Sequence, residues 1–127
     1  MNWQFSSDAP IYAQLVVQIK QGIVSGAFPS GQRLPSVRDL ATEAGVNPNT
    51  MQRALTGLER DGLVYSQRTA GRFVTEDLNM IEEAKHGLAE THIRRFLAAM
   101  IQLGYGKDEI MAMLSRETAG EETKCQY

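Results

Sequence analysis

The seven residues from 47 to 53 include Asn47, Asn49, Thr50, Gln52 and Arg53, side chains able to bond the edge of a base or the oxygen of a phosphate. Ser36 and Arg38 precede them, and Arg68, Thr69, Gly71 and Arg72 follow. This is the chemistry of binding rather than turnover. No Ser-His-Asp set stands in a workable order, no glycine loop is built to cradle a phosphate, and no paired carboxylates lie in an apolar setting. A non-enzyme with no cofactor is expected. His86 and His92 are six residues apart and do not share a helical face, and with Glu82, Glu83 or Glu90 they lack the spacing of a ligand set, so no metal site is expected. Cys125 is the single cysteine, which leaves a free thiol, excludes an intrachain disulfide and fits a reducing cytosol.

The elements that must carry these groups lie between Leu34 and Leu63, where two helical patterns are joined by Gly45, Val46 and Asn47. The first opens at Pro35 and Ser36. Ser36 is placed to accept from a first-turn N–H, Asp39 holds the capping-box position, and Val37, Leu40, Ala41 and Ala44 share one face. Gly45 supplies the helix stop. The second pattern opens with Asn47 as N-cap and Pro48 at the first helical position, where a missing N–H costs nothing. Met51, Ala54, Leu55 and Leu58 are its expected buried face, which turns Asn49, Thr50, Gln52, Arg53, Thr56 and Arg60 outward. Capping alone would account for Ser36 and Asn47.

The chain from Leu63 to Thr75 reads as two short β-prone runs around a turn at Thr69 to Gly71. A hairpin following a recognition helix is a wing. Arg68 before its tip and Arg72 after it would present two guanidinium groups, with the backbone at Gly71, to a phosphate backbone or a minor groove.

These motifs together resemble the N-terminal domain of the GntR family of bacterial transcription regulators. The similarity covers residues 10 to 75 through PIYAQLVVQIKQGIVSGAFPSGQRLPSVRDLA, then VNPNTMQRALTGLERDGLVY, then a wing ending in RFV. The PIYxQ opening, the VNPNT turn and the short remainder are similar to the YtrA-like subgroup. The resemblance implies that Arg38 reaches DNA from the second helix, that Asn47, Asn49 and Thr50 lie where base and phosphate contacts concentrate, and that Gln52 follows one turn along. Two departures stand out: Pro48 occupies a position where other branches carry an arginine, and the wing tip lacks the frequent GxGT form.

Upstream, Trp3 and Phe5 are spaced as in an extended segment that packs against the domain or across a dimer. Pro10 then begins a scaffold helix with Ile11, Leu15, Ile19 and Ile23 in its stripe, ended by Gly26, and Ala27 to Leu34 is a turn-rich link in which Arg33 either reaches phosphate or is solvated. Downstream, Leu78, Ile81, Leu88, Ile93, Phe96, Leu97, Met100 and Leu103 form a helical stripe of about 26 residues, roughly 39 Å at 1.5 Å per residue. One small winged domain cannot cover such a stripe, so a second copy is the expected partner, with Leu78, Ile81, Leu88, Ile93, Phe96 and Met100 at the dimer interface. Asp108 to Ser115 is expected as a short closing helix with Ile110, Met111 and Leu114 inward, and Thr118 to Tyr127 as a frayed end. About 50 residues leave no room for a large effector domain. A small-molecule effector near Met100, Tyr105, Met111 or Met113 stays open, although methionines at this spacing usually fill a core.

The composition suits a globular chain, with 43% hydrophobic and 22% charged residues. No apolar run approaches the roughly 18 residues of a membrane span, and the N-terminus lacks the pattern of a signal peptide. A net charge of −2 is awkward for a nucleic-acid binder. It divides unevenly: residues 1 to 75 hold seven Lys and Arg against five Asp and Glu, residues 76 to 127 six against ten. The expected architecture is mainly α with a small β-hairpin, a winged helix-turn-helix domain over 1–76 and a short helical dimerisation region over 77–127. The expected function is a cytoplasmic homodimeric repressor that binds an inverted-repeat operator in double-stranded DNA, with the helix 47–61 in the major groove and the wing 63–75 beside it. The alternative is a winged protein-interaction module without DNA affinity, which would replace the polar face of the second helix with apolar anchors.

Overall fold

A computed structural model describes residues 1–124, leaving Cys125 and its expected free thiol outside the described residues. The element order is α1 (Ile11–Ser25), α2 (Val37–Ala44), α3 (Pro48–Arg60), β1 (Val64–Gln67), β2 (Gly71–Val74), α4 (Leu78–Gln102) and α5 (Lys107–Lys124). The chain forms two compact units, the first Met1–Leu88 and the second from Ala89 onward.

In the first unit, α1 supplies Leu15, Ile19 and Ile23 to a core completed by Leu40 and Ala41 of α2, Met51, Ala54, Leu55 and Leu58 of α3, and Val64 and Val74 of the hairpin. The four α3 positions are those its periodicity selects, because residues three and four apart share one side of a helix. Ile11 at the head of the α1 stripe is exposed. Trp3 and Phe5 pack against this core. Two glutamines of α1 tie that leading segment down: Gln18 accepts from the Gln4 N–H at 3.0 Å and donates to its carbonyl at 2.6 Å, and Gln14 accepts from the Ser6 N–H and donates to the carbonyls of Ser6 and Ala9.

The turn between α2 and α3 follows from local chemistry. Ser36 Oγ accepts from Asp39 N at 3.1 Å to start α2; Gly45 ends it at φ 72°, where a side chain would be strained. Asn47 Oδ1 accepts from Asn49 N at 2.7 Å and Pro48 opens α3.

The hairpin pairs antiparallel with Val64 opposite Val74, Tyr65 opposite Phe73, Ser66 opposite Arg72 and Gln67 opposite Gly71. The rings of Tyr65 and Phe73 stack at 5.7 Å. The second half of the link at 27–34 is more than a turn. It runs beside β2: Val74 N donates to Gln32 O at 2.9 Å and Leu34 N to Arg72 O at 2.8 Å, with a bridge between Arg33 and Phe73. A third extended segment thus backs the wing.

The first turns of α4 belong to the first unit. Met80, Ile81 and Ala84, each half-buried, pack against its core, and the unit extends to Leu88. Asp77 Oδ1 caps the helix by accepting from Asn79 N and Met80 N. Leu78 beside them is exposed and Leu88 half-buried.

The second unit joins the end of α4 to α5 through Gly104, at φ 97°. Its one fully buried hydrophobic side chain among the described residues is Ile110, while Met111 and Leu114 are exposed rather than turned inward. The expected closing helix ending at Ser115 is corrected: α5 continues to Lys124. Beyond Ser115 the sequence has Arg, Glu, Ala and Lys, strong helix formers, but none of the apolar periodicity by which sequence patterns identify a helix. Thr118, expected in a frayed end, lies within α5, its hydroxyl donating to Leu114 O at 2.8 Å.

Candidate nucleic-acid interface

Burial of Met51, Ala54, Leu55 and Leu58 fixes the rotation of α3, and the same rotation puts Asn49, Gln52, Arg53, Thr56 and Arg60 on its exposed side. Asn47 is exposed at the cap, where its side-chain oxygen is engaged by Asn49 N, and Thr50 is half-buried. Gln52 Nε2 donates weakly to Thr56 Oγ1 at 3.4 Å, so the amide remains available to an incoming base edge. Arg53 has a definite seat: its guanidinium carbon lies 3.6 Å from the centre of the Tyr12 ring, in cation–π contact with the first turn of α1. The face therefore includes an aromatic platform from α1 that motif spacing did not disclose. A shallow surface depression nearby is lined by Pro10, Ile11, Tyr12, Asn49, Thr50 and Arg53.

Arg38 and Ser36 are exposed at the start of α2. Across from them stands the wing, and the two elements border an open groove of about 400 Å³ whose lining includes Arg33, Ser36, Gln67, Arg68, Thr69 and Gly71. Arg68 and Thr69 lie in the turn between the strands and are exposed.

The wing does not present its two arginines alike. Arg72 is half-buried and paired with Glu59 of α3. The same Glu59 Oε1 also accepts from Ser66 Oγ at 2.6 Å. Burial alone would raise the Glu59 carboxyl, but the bonds from Ser66 and Arg72 and the charge of Arg72 outweigh it and hold it below the usual glutamate value. Arg72 is thereby a clamp between wing and recognition helix, in place of the paired presentation with Arg68 expected from the sequence. Register explains it: Ser66 and Arg72 are direct cross-strand partners, so both reach the same point on α3.

Arg33 takes the place beside the tip. A β-carbon built on Gly71, whose φ is 102°, would lie 2.9 Å from Arg33 Nε, so the guanidinium rests against bare backbone. The available signal was the turn-rich link itself, which also reads as a segment able to extend along a strand.

Residues 11–74 match the bacterial regulatory proteins of the gntR family. The chain is 37% identical over 120 residues to the uncharacterized HTH-type transcriptional regulator YhcF of Bacillus subtilis, an alignment spanning 94% of this chain and 99% of that protein. It is 41% identical over 71 residues to the HTH-type transcriptional repressor YtrA of Bacillus subtilis, spanning 56% of this chain and 55% of the repressor. Among solved structures, a GntR family transcriptional regulator from Listeria monocytogenes superposes with a TM-score of 0.80 at 38% identity, covering 88% of this chain and 98% of the other. An ordered set of caps, a buried α3 face and a wing, matched over half the chain by the family and nearly end to end by YhcF, leads to one assignment: this chain belongs to the GntR family of bacterial transcription regulators, with YtrA among its relatives.

Proposed function

We propose that this regulator is a cytoplasmic homodimeric repressor that recognises an inverted-repeat operator in double-stranded DNA. In this reading the exposed face of α3 enters the major groove, where Asn49 and Gln52 address base edges and Thr50 and Arg53 hold the flanking backbone. Arg38 and Arg68 anchor on phosphates, with Ser36, Asn47, Thr69 and the backbone of Gly71 beside them.

The observation that carries the proposal is the division of α3 into a fully buried apolar side and an exposed side whose long side chains are all polar or basic. A protein-docking module would need apolar anchors there, and this face has none. The repressor YtrA supports the direction of control.

Pairing of two copies is supported by the exposed apolar side chains of the second unit, Ile93, Phe96, Leu97 and Ile101, with half-buried Met100 among them. Leaving such a group in water is unfavourable and a second copy removes it. An open groove of about 600 Å³ in this unit is lined by Ile93, Phe96, Leu97, Ile101, Ile110 and Met111, among others. Met111 alone of Met100, Tyr105, Met111 and Met113 borders it, so an effector there would meet aliphatic and phenyl carbon rather than a methionine cluster.

Selection from random duplex DNA with the purified protein tests the proposal. Enrichment of a two-fold symmetric sequence is the expected result. A folded protein that enriches no sequence, or a sequence without symmetry, would contradict it.

A further inference from the structure

From the sequence Arg33 either reaches phosphate or is solvated; the fold builds a seat for it. Its backbone is bridged to Phe73, with Gln32 and Leu34 hydrogen-bonded to β2 on either side, so the position is fixed by the wing rather than by the link. Its guanidinium lies against Gly71, where any β-carbon would intrude. It is exposed and has no carboxylate partner among the described residues, in contrast to Arg72, which Glu59 neutralises.

The surrounding groove joins an apolar floor of Leu34, Pro35 and Val37 to the basic side chains of Arg33, Arg68 and the Glu59-bound Arg72, with Ser36, Gln67 and Thr69 beside them and no acidic residue in its lining. Such a lining supplies hydrogen-bond donors and positive charge to a compact anion carrying several acceptor oxygens. It is poorly suited to base reading, since the Arg33 guanidinium rests against the backbone at Gly71. We propose that Arg33, seated on Gly71, binds a backbone phosphate of the duplex together with Arg68, and that Gly71 is the positioning residue for Arg33. This rests on the regulator reading above and adds to it the contact on the wing side of each half-site.

The test is titration of wild type, Arg33→Gln, Gly71→Ala and the double variant on the selected operator and on an unrelated duplex of equal length, at two salt concentrations. Because a phosphate contact is blind to sequence, Arg33→Gln should weaken binding to both duplexes by about tenfold and reduce the salt slope by about one per bound protomer. Gly71→Ala should weaken binding several-fold in the wild-type background and by clearly less in the Arg33→Gln background, where only the strain of a β-carbon at φ 102° is left. Unchanged affinity and slope for Arg33→Gln, in a protein where Arg38→Ala does lose affinity, would overturn the inference alone. A loss confined to the operator would make Arg33 a base reader and overturn it likewise, and independent, additive losses would remove Gly71 as its seat. Wild type that binds neither duplex would overturn the regulator reading with it.

Discussion

Of the seven basic side chains in residues 1 to 75, three are occupied within the fold: Lys20 with Asp61 at 3.7 Å, Arg72 with Glu59, and Arg53 over Tyr12. Arg33, Arg38, Arg60 and Arg68 are exposed without a carboxylate partner among the described residues. A modest net charge thus hides a concentrated one, and individual arginines should matter more than a diffuse field. Replacing Arg38 by alanine should weaken operator binding by about 1 to 3 kcal/mol with the melting temperature unchanged; equal affinity by fluorescence anisotropy would remove Arg38 from the interface. The Glu59 clamp makes a different prediction. A carboxyl held below its ordinary value in the folded state stabilises the protein above the unfolded-state value, and the contribution disappears as the pH falls through the lowered one. Wild type should therefore melt higher than Glu59→Gln near neutral pH, and the gap should close in acid. A gap independent of pH would show that the clamp is not ionic. The caps Ser36 and Asn47 were legible in the sequence because capping acts over two or three residues. The seat of Arg33 and the role of Arg72 were not, because each depends on a partner brought close by folding, Gly71 in one case and Glu59 in the other.

The helices α2 and α3 could be read directly from spacing, since a buried stripe at intervals of three and four fixes which side faces out. Their joint is correspondingly sensitive. Gly45 has φ 72° and open space around its missing side chain, so Gly45→Ala tests backbone strain without a steric clash. It should destabilise the protein by about 1 kcal/mol in a denaturant melt, and an unchanged midpoint would show that α2 ends without strain. Strand pairing was less legible than helix burial. Periodicity located the hairpin, but the register that sends Ser66 and Arg72 to Glu59, and the third segment at 32–34, arise from hydrogen bonds between distant parts of the chain. The length of α5 escaped for the opposite reason: beyond Ser115 its residues carry no apolar pattern to mark them.

Two compact units make up the chain, and the basic excess of residues 1 to 75 lies within the first, which also takes in Glu76, Asp77, Glu82 and Glu83 from the acidic stretch that follows. The apolar residues exposed in the second unit should hold two copies together. Phe96→Asp, or Ile93→Asp, should convert a sedimenting dimer to a monomer and weaken operator binding by the loss of avidity; a dimer that survives both substitutions would place the interface elsewhere. The account turns on two α3 faces meeting one symmetric stretch of DNA. Hydroxyl-radical footprinting on the selected operator tests it most directly. The predicted pattern is two equivalent protected patches related by a two-fold axis, each with a further patch where the wing meets the backbone. A single patch, or protection that shifts with every sequence offered, would contradict it.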